Sequence, residues 1–308
     1  MNWKLKWAIQ KACASVPLIS QPLYYQLQQR LGPVAGAYDT GSMLAEAARM
    51  TRVLRQYGQP VEGASVMEVG SGWRLDIPLG LYLCGARETL AFDANRYLRE
   101  SLVLRSLDYL RTHEDHVHEL FRDVTEAGDL KRRLDALVDC RTLAEVLAAA
   151  GIRYFAPADA ARTPLPGHSI DIHFSYTVFE HIPRQVLTAI LCEASRLLRP
   201  SGVAMHHIDL SDHSAHVDPS ITLINFLQYS DRQWRWFAST PWSYHNRLRV
   251  DAYRDIYTQA GHELLSWNPH VDRKSIEALE YLPLDSQYQG VDPATLCTVY
   301  LDVVSRAR

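Results

Sequence analysis

The stretch Ala64-Ser-Val-Met-Glu-Val-Gly-Ser-Gly72, with Asp93 at the end of a second apolar run, Thr89-Leu-Ala-Phe92, decides the fold of this chain. Each apolar run is the length of one short buried strand. Gly70 and Gly72 let the backbone turn sharply after the first strand and come close to a ligand. Asp93 ends the second strand, where a carboxylate can accept both hydroxyls of a ribose. Strand, glycine turn and acid-tipped strand make the front half of a nucleoside-binding α/β unit.

The loop leaves the nucleoside open. A nicotinamide loop, G-x-G-x-x-G, needs a glycine where Leu75 stands, and G-x-G-x-G needs one where Arg74 stands. Glu68, just ahead of the first glycine, suits a cationic amino-acid group and opposes a pyrophosphate. Downstream, Asp159-Ala160 precedes Leu165-Pro166, Asp171 opens a further apolar run, Glu180-His181 follows it, and Leu198-Arg-Pro-Ser-Gly-Val203 makes a helix-to-strand turn. In this order the pieces resemble the central stretch of class I S-adenosylmethionine-dependent methyltransferases, over residues 64–210 and the C-terminal strand. The resemblance implies S-adenosyl-L-methionine as cofactor. Glu68, Gly70, Ser71 and Gly72 would meet its methionine part, Asp93 its ribose, and Asp159 with the Ala160 backbone its adenine. Ser175 joins the cofactor set, and Glu180-His181 takes an orienting role. Asp93 also reads as a cap for the following helix, and Asp159 as a turn former.

At 308 residues the chain can bury a sizeable core. A net charge of −3, with no Lys/Arg run, excludes the pattern of a nucleic-acid binder. The five cysteines show no CxxC spacing, which argues against a disulfide framework or zinc site and for a reducing, cytoplasmic setting. No run of 18 apolar residues is present, so a spanning helix is not expected. The N-terminal stretch places Trp3 and Trp7 among Lys4 and Lys11. It reads either as an amphipathic helix at the inner face of a membrane or as a helix packed on the domain.

The alternation of patterns gives an α/β fold, a Rossmann-like doubly wound and mostly parallel sheet. Residues 1–60 read as a helical N-terminal extension broken at Pro17, Pro22 and Gly32-Pro33, with a longer helix over 42–57. Residues 61–308 read as the catalytic domain. Core strands are expected at 65–70, 88–93, 152–156, 169–175, 202–208, 262–267 and 296–304. Insertions fall at 112–150, helical with a capping box at Thr142 and Glu145, and at 209–250.

Methyl transfer to a hydroxyl requires an aligned nucleophile and a group that removes its proton. His206, His207, Asp209 and His213 follow the fifth strand and are the catalytic candidates. His207 and Asp209 share a strand face, which suits a base with its orienting carboxylate. Such a group is compatible with a divalent ion, but its spacing matches no standard zinc pattern and no metal is expected. Tyr176, Asn246, Arg247 and Arg249 are the substrate candidates, gripping phosphate or sugar hydroxyls; alternatively 244–249 ties the second insertion to the sheet. The reading is O-methylation of a small-molecule, saccharide or lipid-linked acceptor. The competing classes are a non-catalytic S-adenosylmethionine-binding scaffold and a nicotinamide oxidoreductase, the latter disfavoured by Leu75 and Glu68.

Overall fold

The computed structural model describes residues 2–14, 39–237, 240 and 244–308. The expected helix breaks at Pro17, Pro22 and Gly32-Pro33 lie outside the described residues. Seven strands form one sheet: β1 (Ser65–Val69), β2 (Glu88–Phe92), β3 (Ile152–Phe155), β4 (Ile170–Tyr176), β5 (Leu198–Asp209), β6 (His262–Val271) and β7 (Thr298–Ala307). Their spatial order is β3-β2-β1-β4-β5-β7-β6. The first five run parallel, and β7 lies antiparallel between β5 and β6.

Every residue of β1 is buried, because helices cover both faces of the sheet. The two-residue period divides its side chains between two cores. Val66 faces the helices Thr40–Gln56, Asp76–Leu83 and Glu100–Thr112, through residues such as Leu44, Leu79 and Val103. Met67 faces the opposite layer, Arg184–Leu197 and Val250–Gln259, with Leu187, Tyr253 and Tyr257. The first insertion supplies helices Glu114–Phe121, Ala127–Val138 and Leu143–Ala149, whose Phe121, Leu134 and Val146 thicken the first core. The capping box of Thr142 and Glu145 opens the last of these helices, as expected.

A third cluster roofs the carboxyl edge of the sheet. Ile224, Phe226, Leu227 and Trp234 of the second insertion pack with Tyr288, Leu296 and Cys297. The N-terminal helix, Trp3–Ala14, closes on this roof. Trp3 is only 4% exposed, its ring centroid 5.2 Å from that of Phe237. Its amide donates to Asp218 Oδ2 at 3.0 Å, and Trp7 Nε1–H donates to Ser214 Oγ at 3.0 Å. These contacts correct the membrane-facing reading: the two tryptophans that would anchor the helix in a lipid surface are spent on the protein. Among the described residues no helix is long and apolar enough to cross a membrane.

Helix 40–56 approaches helix 76–83 so closely that a Cβ on Gly80 would stand 2.4 Å from Ala47 Cβ. Both atoms are rooted on rigid helices, so Gly80→Ala must part them. Overpacking costs about 1–3 kcal/mol, against roughly 1 kcal/mol gained in helix propensity. A net loss of up to about 2 kcal/mol is expected in a denaturant titration. Unchanged or increased stability would show that the helices yield freely.

Candidate functional site

Strand order reverses between β1 and β4, and a crevice must open where their outgoing connections part to opposite sides. A cavity of about 1510 Å³ lies there. That exceeds the roughly 300–1,000 Å³ of ordinary ligand pockets, and leaves room for two reactants.

The wall below β1 and β2 carries the glycine turn. Gly70 has φ +81°, and a Cβ there would come within 2.7 Å of both Val178 methyl carbons. Its N–H donates to the Phe92 carbonyl at 2.8 Å, which pins the turn to the end of β2. Gly72 has φ +64°, and its N–H donates to Asp93 Oδ2 at 2.9 Å. Asp93 Oδ1 accepts from the Asn95 amide at 2.9 Å. Each oxygen keeps a second lone-pair site. Asp93 therefore caps the turn at Asn95, and the next helix begins only at Glu100. Asp159 accepts from the Ala161 amide at 2.8 Å and lines the cavity with Ala160. Trp73 and Tyr97, which sequence patterning did not mark, pack their rings 5.0 Å apart on this wall.

Glu68 is 5% exposed and accepts a hydrogen bond from Ser71 Oγ. Burial pushes its carboxyl up to about 8; the Ser71 hydroxyl opposes the rise, and the neighbouring Asp93 charge adds to it. Arg74, at the place of a third glycine, turns to the protein. Its Nε stands 2.7 Å from Asp76 Oδ2, and Nη2 donates to Thr40 and Ser106. Ser175 is corrected: it is 1% exposed inside the sheet and does not line the cavity. Thr177, next along, holds a left-handed φ of +52°, with its N–H bonded to the His207 carbonyl at 2.9 Å.

The far wall carries the expected histidines, differently paired. His207 Nδ1 lies 2.8 Å from Asp302 Oδ1, and its ring stacks between Tyr176 and Tyr300 at centroid distances of 4.7 and 5.4 Å. The carboxylate paired with His207 is thus Asp302, not Asp209. It sits directly across the antiparallel β5–β7 pair from His207. Burial works against its ionisation, but the His207 hydrogen bond and the Arg49 charge hold it well below the usual carboxylate range. Asp209 lies beside His213 and His216, at 3.3 and 3.6 Å. Burial would raise it as well, yet these two imidazoles bring it far below the ordinary value.

His206 is corrected. It points to the opposite face of β5, fully buried, with Nδ1 against the Tyr257 hydroxyl at 2.5 Å and Nε2 3.1 Å from His173 Nδ1. The residue alternation of a strand puts it out of reach of the cavity.

The substrate set is corrected in three of its four members. Asn246 Nδ2 donates to the carbonyls of Phe179 and Ile182 at 2.8 and 2.9 Å. Arg247 binds the Phe226 carbonyl at 3.1 Å, the Tyr229 carbonyl at 2.5 Å and Asp231. Arg249 is buried against the carbonyls of Leu210, Thr295 and Thr298. None of the three lines the cavity. The segment ties the insertion to the sheet, the other reading of its sequence. Tyr176 does line the cavity.

Residues 129–206 match the model of the family described as "Methyltransferase domain". The match runs from the first insertion to β5 and leaves out the glycine turn. Among solved structures, an S-adenosylmethionine-dependent methyltransferase from Mesorhizobium loti is similar, with 16% identity, 85% of this chain and 99% of that one covered, and a TM-score of 0.44. Geranyl diphosphate C-methyltransferase from Streptomyces coelicolor A3(2) is similar with 11% identity, 85% and 79% coverage, and a TM-score of 0.46. No curated protein sequence matches the chain. Over residues 129–206 the chain is thus similar to a methyltransferase domain, and the cofactor expected with such a domain is S-adenosyl-L-methionine. The glycine turn that a Cβ would block, the half-satisfied Asp93 and the proton-bearing Glu68 fit that cofactor.

At pH 7 a carboxyl with a pKa of about 8 holds its proton. An ammonium group placed beside it favours the carboxylate. S-adenosylhomocysteine should therefore bind more tightly as pH rises from about 6 to 8, levelling above that. Calorimetry at pH 7 in buffers of different ionisation heat should show nearly one proton released per ligand. Proton-neutral binding would place Glu68 away from the ligand's amino group.

Proposed function

We propose that this chain methylates a hydroxyl oxygen of a small-molecule acceptor seated against His207. The His207–Asp302 pair is the observation that carries the reading. Asp302 is ionised and can only accept, so Nδ1 of a neutral His207 carries the hydrogen and Nε2 is left to take up a proton. The stacked Tyr176 and Tyr300 rings hold the imidazole in that orientation. Both rings and His207 line the cavity, so the basic nitrogen is available to a bound hydroxyl.

S-adenosylmethionine, when bound, supplies an electrophilic methyl group. Gly70 and Gly72 admit it, Glu68 and Asp93 orient it by its amine and ribose hydroxyls, and Asp159 with Ala160 borders its base. His207 accepts the acceptor's proton, and Asp302 stabilises the imidazolium that results. Trp7, Phe226 and Trp234 wall the cavity from the roof and restrict water. Their flat apolar faces also suit a sugar ring or a lipid-linked one. With Asn246, Arg247 and Arg249 committed to the roof, that aromatic wall is what supports a saccharide.

His207→Ala should lower kcat by about 10²–10⁴-fold, leaving S-adenosylhomocysteine affinity nearly unchanged. Asp302→Asn should reduce kcat in the same direction, with a smaller change in KM. Retained turnover in both variants would move the proton to another group. Tight cofactor binding with no transfer to any hydroxyl acceptor in a broad panel would favour the non-catalytic scaffold.

A further inference from the structure

Deeper in the acceptor wall, two short segments bring together donors that the proposed transfer does not use. The 3-10 turn Phe179–His181 supplies Glu180 and His181, and the loop after β5 supplies His213. One ligand atom from each lies within 4.8 Å of the other two. Glu180 is fully buried, and neither carboxylate oxygen has a hydrogen-bond partner of normal geometry; the amides of Glu180 and Asp209 come near without forming one. A buried carboxylate left so is costly, whether ionised or protonated, unless something fills its coordination.

The neighbouring groups of the wall lie close to these two oxygens. His181 Nδ1 lies 2.8 Å from the Tyr244 carbonyl, which can only accept, so the hydrogen is on Nδ1 and the Nε2 lone pair is free. A histidine oriented by a backbone carbonyl in this way is the usual preparation of a metal ligand. Asn246 holds the turn itself, with its amide on the Glu180 carbonyl and its side chain on the carbonyls of Phe179 and Ile182. Asp209 Oδ2 stands 3.3 Å from His213 Nε2 and offers a second carboxylate at the edge of the group. His245 differs: its Nδ1 accepts from the Arg247 amide, so a neutral ring presents Nε2–H, a donor and not a ligand.

We propose that Glu180, His181 and His213 bind a divalent first-row transition-metal ion, zinc being the type, with Asp209 as the nearest further carboxylate. Two imidazoles and a carboxylate are the donor set such ions prefer. Ligands of a four-coordinate ion stand about 3.4 Å apart for bonds of ~2.1 Å, so a modest inward shift of the side chains closes the group. The cavity on the open side leaves a position for water or for an oxygen of the acceptor. That last role rests on the methyl-transfer reading; the binding of the ion does not.

The test uses the purified full chain, stripped with a chelator and dialysed. Calorimetric titration with zinc chloride should show one site per chain, and cobalt(II) chloride should give visible d–d bands of low-symmetry coordination. Glu180→Gln, His181→Ala and His213→Ala should each weaken zinc at least ~10-fold, and His116→Ala, in the first insertion, should not. Circular dichroism and S-adenosylhomocysteine binding report whether each variant is folded; Glu180→Gln keeps the side chain's shape and replaces one carboxyl oxygen with an amide nitrogen. Zinc affinity equal to wild type in all three folded variants, or no site in the wild type, overturns the proposal. Because S-adenosylhomocysteine binding is read separately, loss of the metal reading leaves methyl transfer standing, and the reverse.

Discussion

The parting of the chain between β1 and β4 is the constraint from which the rest of this molecule follows. Parallel strands must be connected over the faces of the sheet, and the connections from β1 and β4 leave on opposite sides. Nothing regular can fill the gap at their carboxyl ends. The glycine turn, Asp93, Asp159, Thr177 and His207 all stand on that edge because a strand or its exit loop delivers them there. Antiparallel β7, beside β5, adds Asp302 to the same edge from the far end of the chain.

Collecting carboxylates on and behind the walls of one cavity creates a common electrostatic problem, and the protein answers it differently at each. Asp302 gathers His207, Arg49 and His270 and stays ionised. Asp209 has His213 and His216. Asp93 takes two backbone amides. Glu68, given only a hydroxyl, keeps a proton that a cationic ligand can displace. Glu180 makes no hydrogen bond of normal geometry among the described residues, with His181 Nε2 4.0 Å away, and burial together with the Asp209 charge pushes its carboxyl well above the usual range. Ranked in this way, the wall separates carboxylates well paired by the fold from Glu68 and Glu180, which are poorly paired.

The geometry of the glycine wall was legible in the sequence because its determinants are local. A strand, its turn and the next strand's tip are near neighbours along the chain, and period-two burial fixes which residues look where. The histidine wall was less legible because its partnerships are not local. His207 and Asp209 do share a face, but the carboxylate that holds His207 arrives on a strand 95 residues later. Its only trace in sequence is a lone Asp302 in the apolar run Val299-Tyr-Leu-Asp-Val-Val304. His206 was misplaced for a simpler reason: strand parity excludes one of two adjacent histidines without saying which.

The segment Tyr244–Arg249 shows why polar residues beside a cleft are a poor guide to what the cleft binds. A roof built from loops exposes many backbone carbonyls to a low-dielectric interior, and each must be paired. Arg249 meets three of them, Arg247 two and Asn246 two, so side chains rich in donors are needed there whatever the ligand. The same segment still bears on chemistry at one remove. The Tyr244 carbonyl sets the His181 tautomer, and Asn246 fixes the turn that presents Glu180. Under the proposed methyl transfer, specificity for the acceptor would fall to the residues that remain on the cavity surface, the histidines and the aromatic roof, while Arg247 and Arg249 determine where that surface stands.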